Sequence, residues 1–433
     1  MSASTTAETP VLSLTGLYEA PPSLAPTTDE DAVQFIILAA RAYAAVDEVP
    51  ARTETGLEYL AWRLGFSADC TATATAIFIT LGKGERRWTE VIRVRAAGPD
   101  YTRAVALRRV LERVARLEIT PRDAAERLAT LLSWRRKPSM LLDILSSALL
   151  SASAALLLRA DSLELPLAAV LGALVGAALH LVAGRESLVP LSTVTLAAVA
   201  AAAAFGFGRL GVGDIRPVPV LVASLVILLP GWRLTVSMSE LAQGHWTSGS
   251  GRFLAAVTTL LLLVVGVVVG QQIVAAPEGE RLILAAATNV PGWVRVLSPL
   301  VAGLALAHMF NARRRDAGWI VIICVITSLA AYGGGEWLGT SAGAFVGAFT
   351  ATAVSAIVAR RLRLPSAVLQ QPATVLLVPG IIGFLSFGSL VDQNVNRAIQ
   401  TGFQMLFVAL TLSIGALLAR VALRPVLADE FER

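Results

Sequence analysis

The sequence predicts a polytopic α-helical membrane protein: ten transmembrane helices in two inverted five-helix repeats, preceded by a small cytoplasmic α/β domain. Three observations predict it. Charge is dense from Met1 to about Lys137, then collapses to isolated residues and short arginine clusters. Apolar runs able to cross roughly 30 Å of hydrocarbon begin near Leu141, Pro166, Leu188, Val218, Phe253, Val294, Trp319, Trp337, Thr374 and Thr401. Finally, Pro230-Gly231 recurs as Pro379-Gly380, an offset of 149 residues that also pairs Gly184 with Gly333, Ser192 with Ser341 and Leu241 with Leu390.

Bulk composition agrees. Of 433 residues, 55% are apolar and 15% charged, against roughly 25% charged in soluble domains. The net charge of +5 does not point to nucleic acid, because many of the arginines lie between apolar runs, where topology needs them. Lys83 and Lys137 are the two lysines, and with so much Ala and Val this reads as a GC-rich genome. Cys70 and Cys324 sit in different segments without metal, redox or disulfide spacing. No cofactor or metal is expected. The N-terminus lacks a basic n-region, a long apolar core and a cleavage site, so no signal peptide is expected and the first span serves as the insertion signal.

Residues 1–28, rich in Ser, Thr, Ala and Pro, read as a flexible tail. Residues 29–138 read as the α/β domain. Thr28 or Asp29 can cap a helix from about Asp31 to Val46, with Val33, Ile36, Ile37, Ala40 and Tyr43 on one face. A second helix covers Thr53 to Leu64 and stops at Gly65. TATATAIFIT (71–80) and RRWTEVIRVRA (86–96) flank a Gly-Lys-Gly turn as a β-hairpin. Helices from about Tyr101 to Leu117 and from Pro121 to Ser133 follow, Pro121 suiting a first helical turn. That is enough chain for a modest core.

The five-span units cover residues 139–275 and 290–424. Five is odd, so the second copy enters the membrane from the opposite face and the repeats are inverted, as in many secondary transporters. Orientation follows from the basic clusters Arg135-Arg136-Lys137, Arg313-Arg314-Arg315 and Arg360-Arg361-Arg363, with Arg420 and Arg424 after the last span. Ten spans put them all on one side, which the positive-inside rule makes cytoplasmic. The opposite loops carry single arginines with acidic neighbours such as Asp161, Asp214 and Glu280. The expected location is the inner membrane, multi-pass, with both termini inside.

A Pro-Gly in mid-span breaks the hydrogen-bond ladder, since proline cannot donate and glycine accepts the bend. In lipid such a break survives only beside protein or a water-filled cavity. The amides after Gly231 and Gly380 then act as half-helix N-termini suited to an anion such as an amino-acid carboxylate; a plain structural kink is the alternative. Downstream, Ser237, Ser239, Glu240 and His245 are polar for a segment at a bilayer. Glu240 is the first candidate for coupling protons and Asp392 the second, although Glu240 at a solvated interface would be inert. Asp143, His180, His308, Glu336, Gln393, Asn394 and Asn396 are further polar groups near span ends. No phosphate loop, GxSxG, HExxH or CxxC is present. The chain does not read as an enzyme.

PGWRLTVSMSELAQGHWTSGSGR (230–252) resembles the signature of the threonine/serine exporter family, in which a Pro-Gly precedes a polar helix and a Ser-Gly-rich turn ending in Arg. TGLEYLAWRLGF and TATATAIFIT are similar to that family's front part, and VPGIIGFLSFGSL (378–390) resembles its smaller companion module. The resemblance covers about residues 30–424. It implies export of threonine, serine or related small metabolites, driven by the proton motive force, with dicarboxylates exported by some members. Read onto this chain, Pro230, Gly231, Trp232, Ser237, Pro379, Gly380 and Ser386 would surround the substrate, and Glu240 and Asp392 would handle protons. The expected partners are an amino acid, protons and the lipid bilayer; nucleic acid is not one, and self-association into a homo-oligomer stays open. Two rivals remain. One is a channel, which needs no titratable residue; the other is a membrane-anchored enzyme or sensor working through residues 30–133.

Overall fold

The computed structural model describes residues 28–94, 98–134, 139–210, 215–274, 291–377, 379–391 and 395–427. The front segment contains α1 (Asp29–Ala45), α2 (Pro50–Arg63), β1 (Ser67–Ala72), β2 (Ala76–Lys83), β3 (Arg86–Arg93), α3 (Tyr101–Ala115) and α4 (Pro121–Ser133). Three of its helices start on a side-chain cap: Thr28 accepts from the Asp31 amide, Asp100 from Arg103 and Thr120 from Asp123. In β2, Ile77, Ile79 and Leu81 alternate inward and are buried. They share one core with Phe35, Ile36 and Ala39 of α1 and Leu57, Leu60 and Ala61 of α2.

The expected hairpin is a three-stranded antiparallel sheet, β1-β2-β3. The stretch read as one strand is divided by a turn at Thr73, whose amide and hydroxyl both bond the Ala76 carbonyl and whose oxygen accepts the Ala76 amide. Periodicity missed this because threonine favours strands as readily as it closes such turns.

Helices fill the rest: α5 (Met140–Leu157), α6 (Glu164–Val182), α7 (Val189–Arg209), α8 (Pro217–Ser224), α9 (Gly231–Ala242), α10 (Trp246–Ile273), α11 (Gly292–Met309), α12 (Arg314–Leu338), α13 (Thr340–Leu362), α14 (Ala367–Val375), α15 (Pro379–Val391) and α16 (Val395–Leu427). Among the described residues, nine helices are long and apolar enough to cross a membrane. The expected span near Val218 is not among them, because α8 and α9 are separate short helices joined by a turn at 225–230. The span near Thr374 is among them as Ala367–Ser389, taken across α14 and α15. Two boundaries also move. Trp337 ends α12 rather than starting α13, and α10 begins at Trp246, so the Ser-Gly stretch before Phe253 is helical.

The helices turn large apolar residues outward, among them Leu141, Leu174, Leu254, Ile322, Phe403 and Val421. A protein in water would bury these; lipid solvates them. Inward faces are small, as close helix packing in lipid requires. A Cβ on Gly266 of α10 would fall on the Val194 carbonyl of α7, and one on Gly415 of α16 would come within 2.5 Å of the Phe345 carbonyl of α13. Packing partners recur: α5 lies on α6 as α11 lies on α12, α7 on α10 as α13 on α16, and α9 on α10 as α15 on α16. The two sets meet where α5 crosses α11. There Ser153 Oγ donates to the Ser298 carbonyl at 2.9 Å and Ser298 Oγ donates to the Ser153 carbonyl at 3.0 Å.

Candidate functional site

The two Pro-Gly pairs meet. A Cβ on Gly380 would lie 3.0 Å from the Gly231 nitrogen and 3.1 Å from its Cα, so the two chains touch backbone to backbone. Any larger residue at 380 would push them apart. Around Pro230 the chain descends through tight turns, with the Leu228 amide on the Leu225 carbonyl and the Gly231 amide on the Leu229 carbonyl. The Leu234 amide takes the Pro230 carbonyl at 3.0 Å, which starts α9. Among the described residues, the Trp232 and Arg233 amides take no backbone acceptor. Those two, rather than Gly231 itself, are the N–H groups that α9 leaves for another partner.

A cavity of about 70 Å³ adjoins this crossing. Trp232, Thr235, Ser239 and Glu240 of α9 line one side, Gln370 and Thr374 of α14 and Ser413 of α16 the other, and Arg52 of α2 and Arg420 of α16 one end. Ser413 Oγ donates to the Thr235 carbonyl at 3.2 Å, and Gln370 Nε2 donates to Thr352 Oγ1 at 2.9 Å. Larger spaces lie elsewhere among the same helices. One of about 530 Å³ lies between the front segment and the 352–370 region. The other, of about 420 Å³, lies toward the opposite end of α13, beside Gly343, Leu376 and Leu377.

Glu240 is buried, with one carboxylate oxygen hydrogen-bonded and the other, beside an arginine, without a hydrogen bond of its own. Its Oε2 accepts from Ser248 Oγ at 2.7 Å and its Oε1 lies 3.1 Å from Arg252 Nε. Arg252 also pairs with Asp47 at 3.2 Å, so one arginine ties α9 and α10 to the residues that follow α1. His245 Nδ1 lies 3.8 Å from Glu54. The front segment is docked elsewhere too: the Tyr101 amide donates to the Phe310 carbonyl at 3.0 Å, and its hydroxyl donates to Gln371 Oε1 at 2.8 Å.

The remaining expected residues divide. Pro230, Gly231 and Gly380 converge at the crossing, and Trp232 faces the central cavity. Pro379 opens α15. Ser237 and Ser386 are buried with their hydroxyls on the Leu234 and Ala398 carbonyls, and neither lines the cavity. Asp392, with Gln393 and Asn394, lies outside the described residues.

Sequence reasoning passed over Gln370, Thr374 and Ser413, whose signal was polar side chains inside apolar runs. It also treated Asp143, His180 and His308 singly. Asp143 Oδ2 lies 2.8 Å from His180 Nδ1 and Oδ1 lies 2.8 Å from His308 Nε2, so α5, α6 and α11 share one carboxylate.

No curated protein and no solved structure matches the chain. One threonine/serine exporter family model matches residues 34–274 and a second matches residues 295–422. Those two matches span both Pro-Gly pairs and most of the chain, and they carry the resemblance of the 230–252 stretch to its conclusion: the protein belongs to the threonine/serine exporter family.

Proposed function

We propose that this exporter is a secondary transporter moving threonine, serine or a related small metabolite outward across the cytoplasmic membrane by proton antiport, with alternating access around the two broken helices. The observation that carries the reading is the contact of Gly380 with Gly231, with a narrow cavity reaching the adjacent Trp232 and two larger cavities elsewhere among the same helices. At about 70 Å³ the central space is well below the roughly 300 Å³ of a small-molecule site. It must widen to admit substrate, and two halves rocking about the Gly231–Gly380 contact would widen it toward one side at a time. The recurring helix pairs support an internal repeat, which an odd number of spans per copy would make inverted.

In this mechanism the substrate carboxylate meets the Trp232 and Arg233 amides, with Thr235, Gln370 and Thr374 offering hydrogen bonds. A proton arriving on Glu240 discharges its ion pair, and Arg252 is left to Asp47. That exchange loosens α9 from α10 at the front-segment side, which is how a proton would bias the two access states. The front segment, docked on the helix ends, lies on the cytoplasmic face and regulates or assembles the carrier.

The test is efflux of labelled threonine from proteoliposomes, with and without an imposed pH gradient. Gradient-driven efflux by the parent, lost in Glu240→Gln, supports the reading. Equal efflux with and without the gradient would instead identify a passive pore.

A further inference from the structure

We propose that the cavity of about 530 Å³ between the front segment and the membrane helices is a binding site for a small carboxylate with an apolar body and no ammonium group, distinct from the transported amino acid. Three arginines, Arg52 of α2, Arg108 of α3 and Arg420 of α16, face a single acidic side chain on its wall, Glu48. Two of them are engaged. Arg52 bonds Ser366 Oγ at 3.1 Å and lies 3.6 Å from Glu48, while Arg108 bonds Glu112 at 2.5 Å and the Leu364 carbonyl at 2.8 Å. Arg420 differs: it is half-buried on the cavity wall, and among the described residues it has no hydrogen bond and no ion pair within 4 Å. A guanidinium on a cavity wall without a protein acceptor is open to a ligand, and a carboxylate fits its fork with two parallel bonds.

The rest of the wall sets the ligand's shape and charge. Leu107, Leu111 and Ala356 give it an apolar side. Glu48, the one acid present, is already paired with Arg52, so no carboxylate is spare for an ammonium. That disfavours a zwitterion and favours a plain anion. The volume falls in the range of small-molecule sites, roughly 300–1,000 Å³. Because the wall comes from α2 and α3 on one side and from α13, α14 and α16 on the other, the ligand would tie the front segment to the helices. Arg52, Gln370 and Arg420 line both this cavity and the central one, so the proposed site adjoins the substrate site.

The experiment is titration calorimetry on the full-length protein in nanodiscs, with 3-methylbutanoate, 3-methylbutylamine and L-threonine as probes. The parent should bind 3-methylbutanoate saturably and the amine not at all. Arg420→Gln should weaken that binding at least tenfold. Thr55→Trp, which plugs the cavity from an exposed position and keeps all three arginines, should do the same and covers the case in which Arg420→Gln does not fold. Absence of saturable 3-methylbutanoate binding, or equal affinity in Thr55→Trp, would overturn the proposal. Tighter binding of threonine than of 3-methylbutanoate, equally lost in Thr55→Trp, would also overturn it and put the cavity on the transport path. Efflux is not read here, so failure of this site and failure of the exporter reading are separate results.

Discussion

Gly231 and Gly380, 149 residues apart in sequence, touch through their backbones at the starts of α9 and α15. Gly380→Ala should therefore force the two helix starts apart by a few tenths of an ångström. Overpacking of this kind costs about 1–3 kcal/mol, and because it falls at the proposed pivot it should lower efflux more than it lowers stability. Thermal unfolding in nanodiscs and efflux from proteoliposomes, measured side by side, check this. Parallel losses would make the contact structural only.

Glu240→Gln keeps an acceptor for Ser248 Oγ and leaves Arg252 its second partner, Asp47. The loss of stability should thus stay below the roughly 3–5 kcal/mol of a buried pair broken without replacement. Coupled efflux should nevertheless disappear. Asp47→Asn in the same background removes the remaining counter-charge and should bring the larger penalty, read as a lower unfolding temperature.

The reciprocal serines give a clean cycle. Ser153→Ala and Ser298→Ala each remove one donor across the α5–α11 crossing. Interhelical hydrogen bonds in lipid average about 0.6 kcal/mol, so each single change should be mild, and the double change should cost measurably less than the two added together. Strict additivity in a double-mutant cycle would show that the two bonds are independent.

Much of this was legible in the sequence. The apolar runs and the collapse of charge after Lys137 report the membrane helices directly, because lipid imposes length and composition on each helix. What was not legible depends on which helix ends meet. Asp143, His180 and His308 lie far apart along the chain and converge only when α5, α6 and α11 pack. Ser237 and Ser386 looked like substrate ligands, yet a serine inside a helix can spend its hydroxyl on a backbone carbonyl, and both do. Arg420 was read as a topology signal, and nothing in its neighbours along the chain announces a cavity assembled from the front segment. The helical Ser-Gly start of α10 is another tertiary effect, since Gly249 lies against Leu241 of α9.

Gly266→Ala and Gly415→Ala should be comparably destabilising, each by about 1–3 kcal/mol, because the added methyl meets a backbone carbonyl that cannot rotate away. Gly318→Ala is the control, with open space where its Cβ would lie. Unfolding temperatures of the three variants decide the matter. A neutral Gly266→Ala would mean that α7 and α10 have room to separate.

Burial, with Glu54 and Glu58 adding to it, pushes the Cys70 thiol up to about 12. The reactive species is the thiolate, and a raised value makes it scarce at neutral pH. In a Cys324→Ala background, maleimide labelling should be slow at pH 7 and quicken about tenfold per pH unit up to pH 10. A rate that levels off near pH 8.5 would show an ordinary exposed thiol.

The most direct measurement concerns where the substrate sits. In a chain lacking Cys70 and Cys324, Ser239→Cys on α9 and Ala416→Cys on α16 place one thiol on each side of the central cavity. If threonine binds where the two broken helices cross, it should slow alkylation of both thiols, at the concentration that half-saturates efflux. Efflux that proceeds while threonine protects neither position would place the substrate elsewhere and contradict a site built on Gly231 and Gly380.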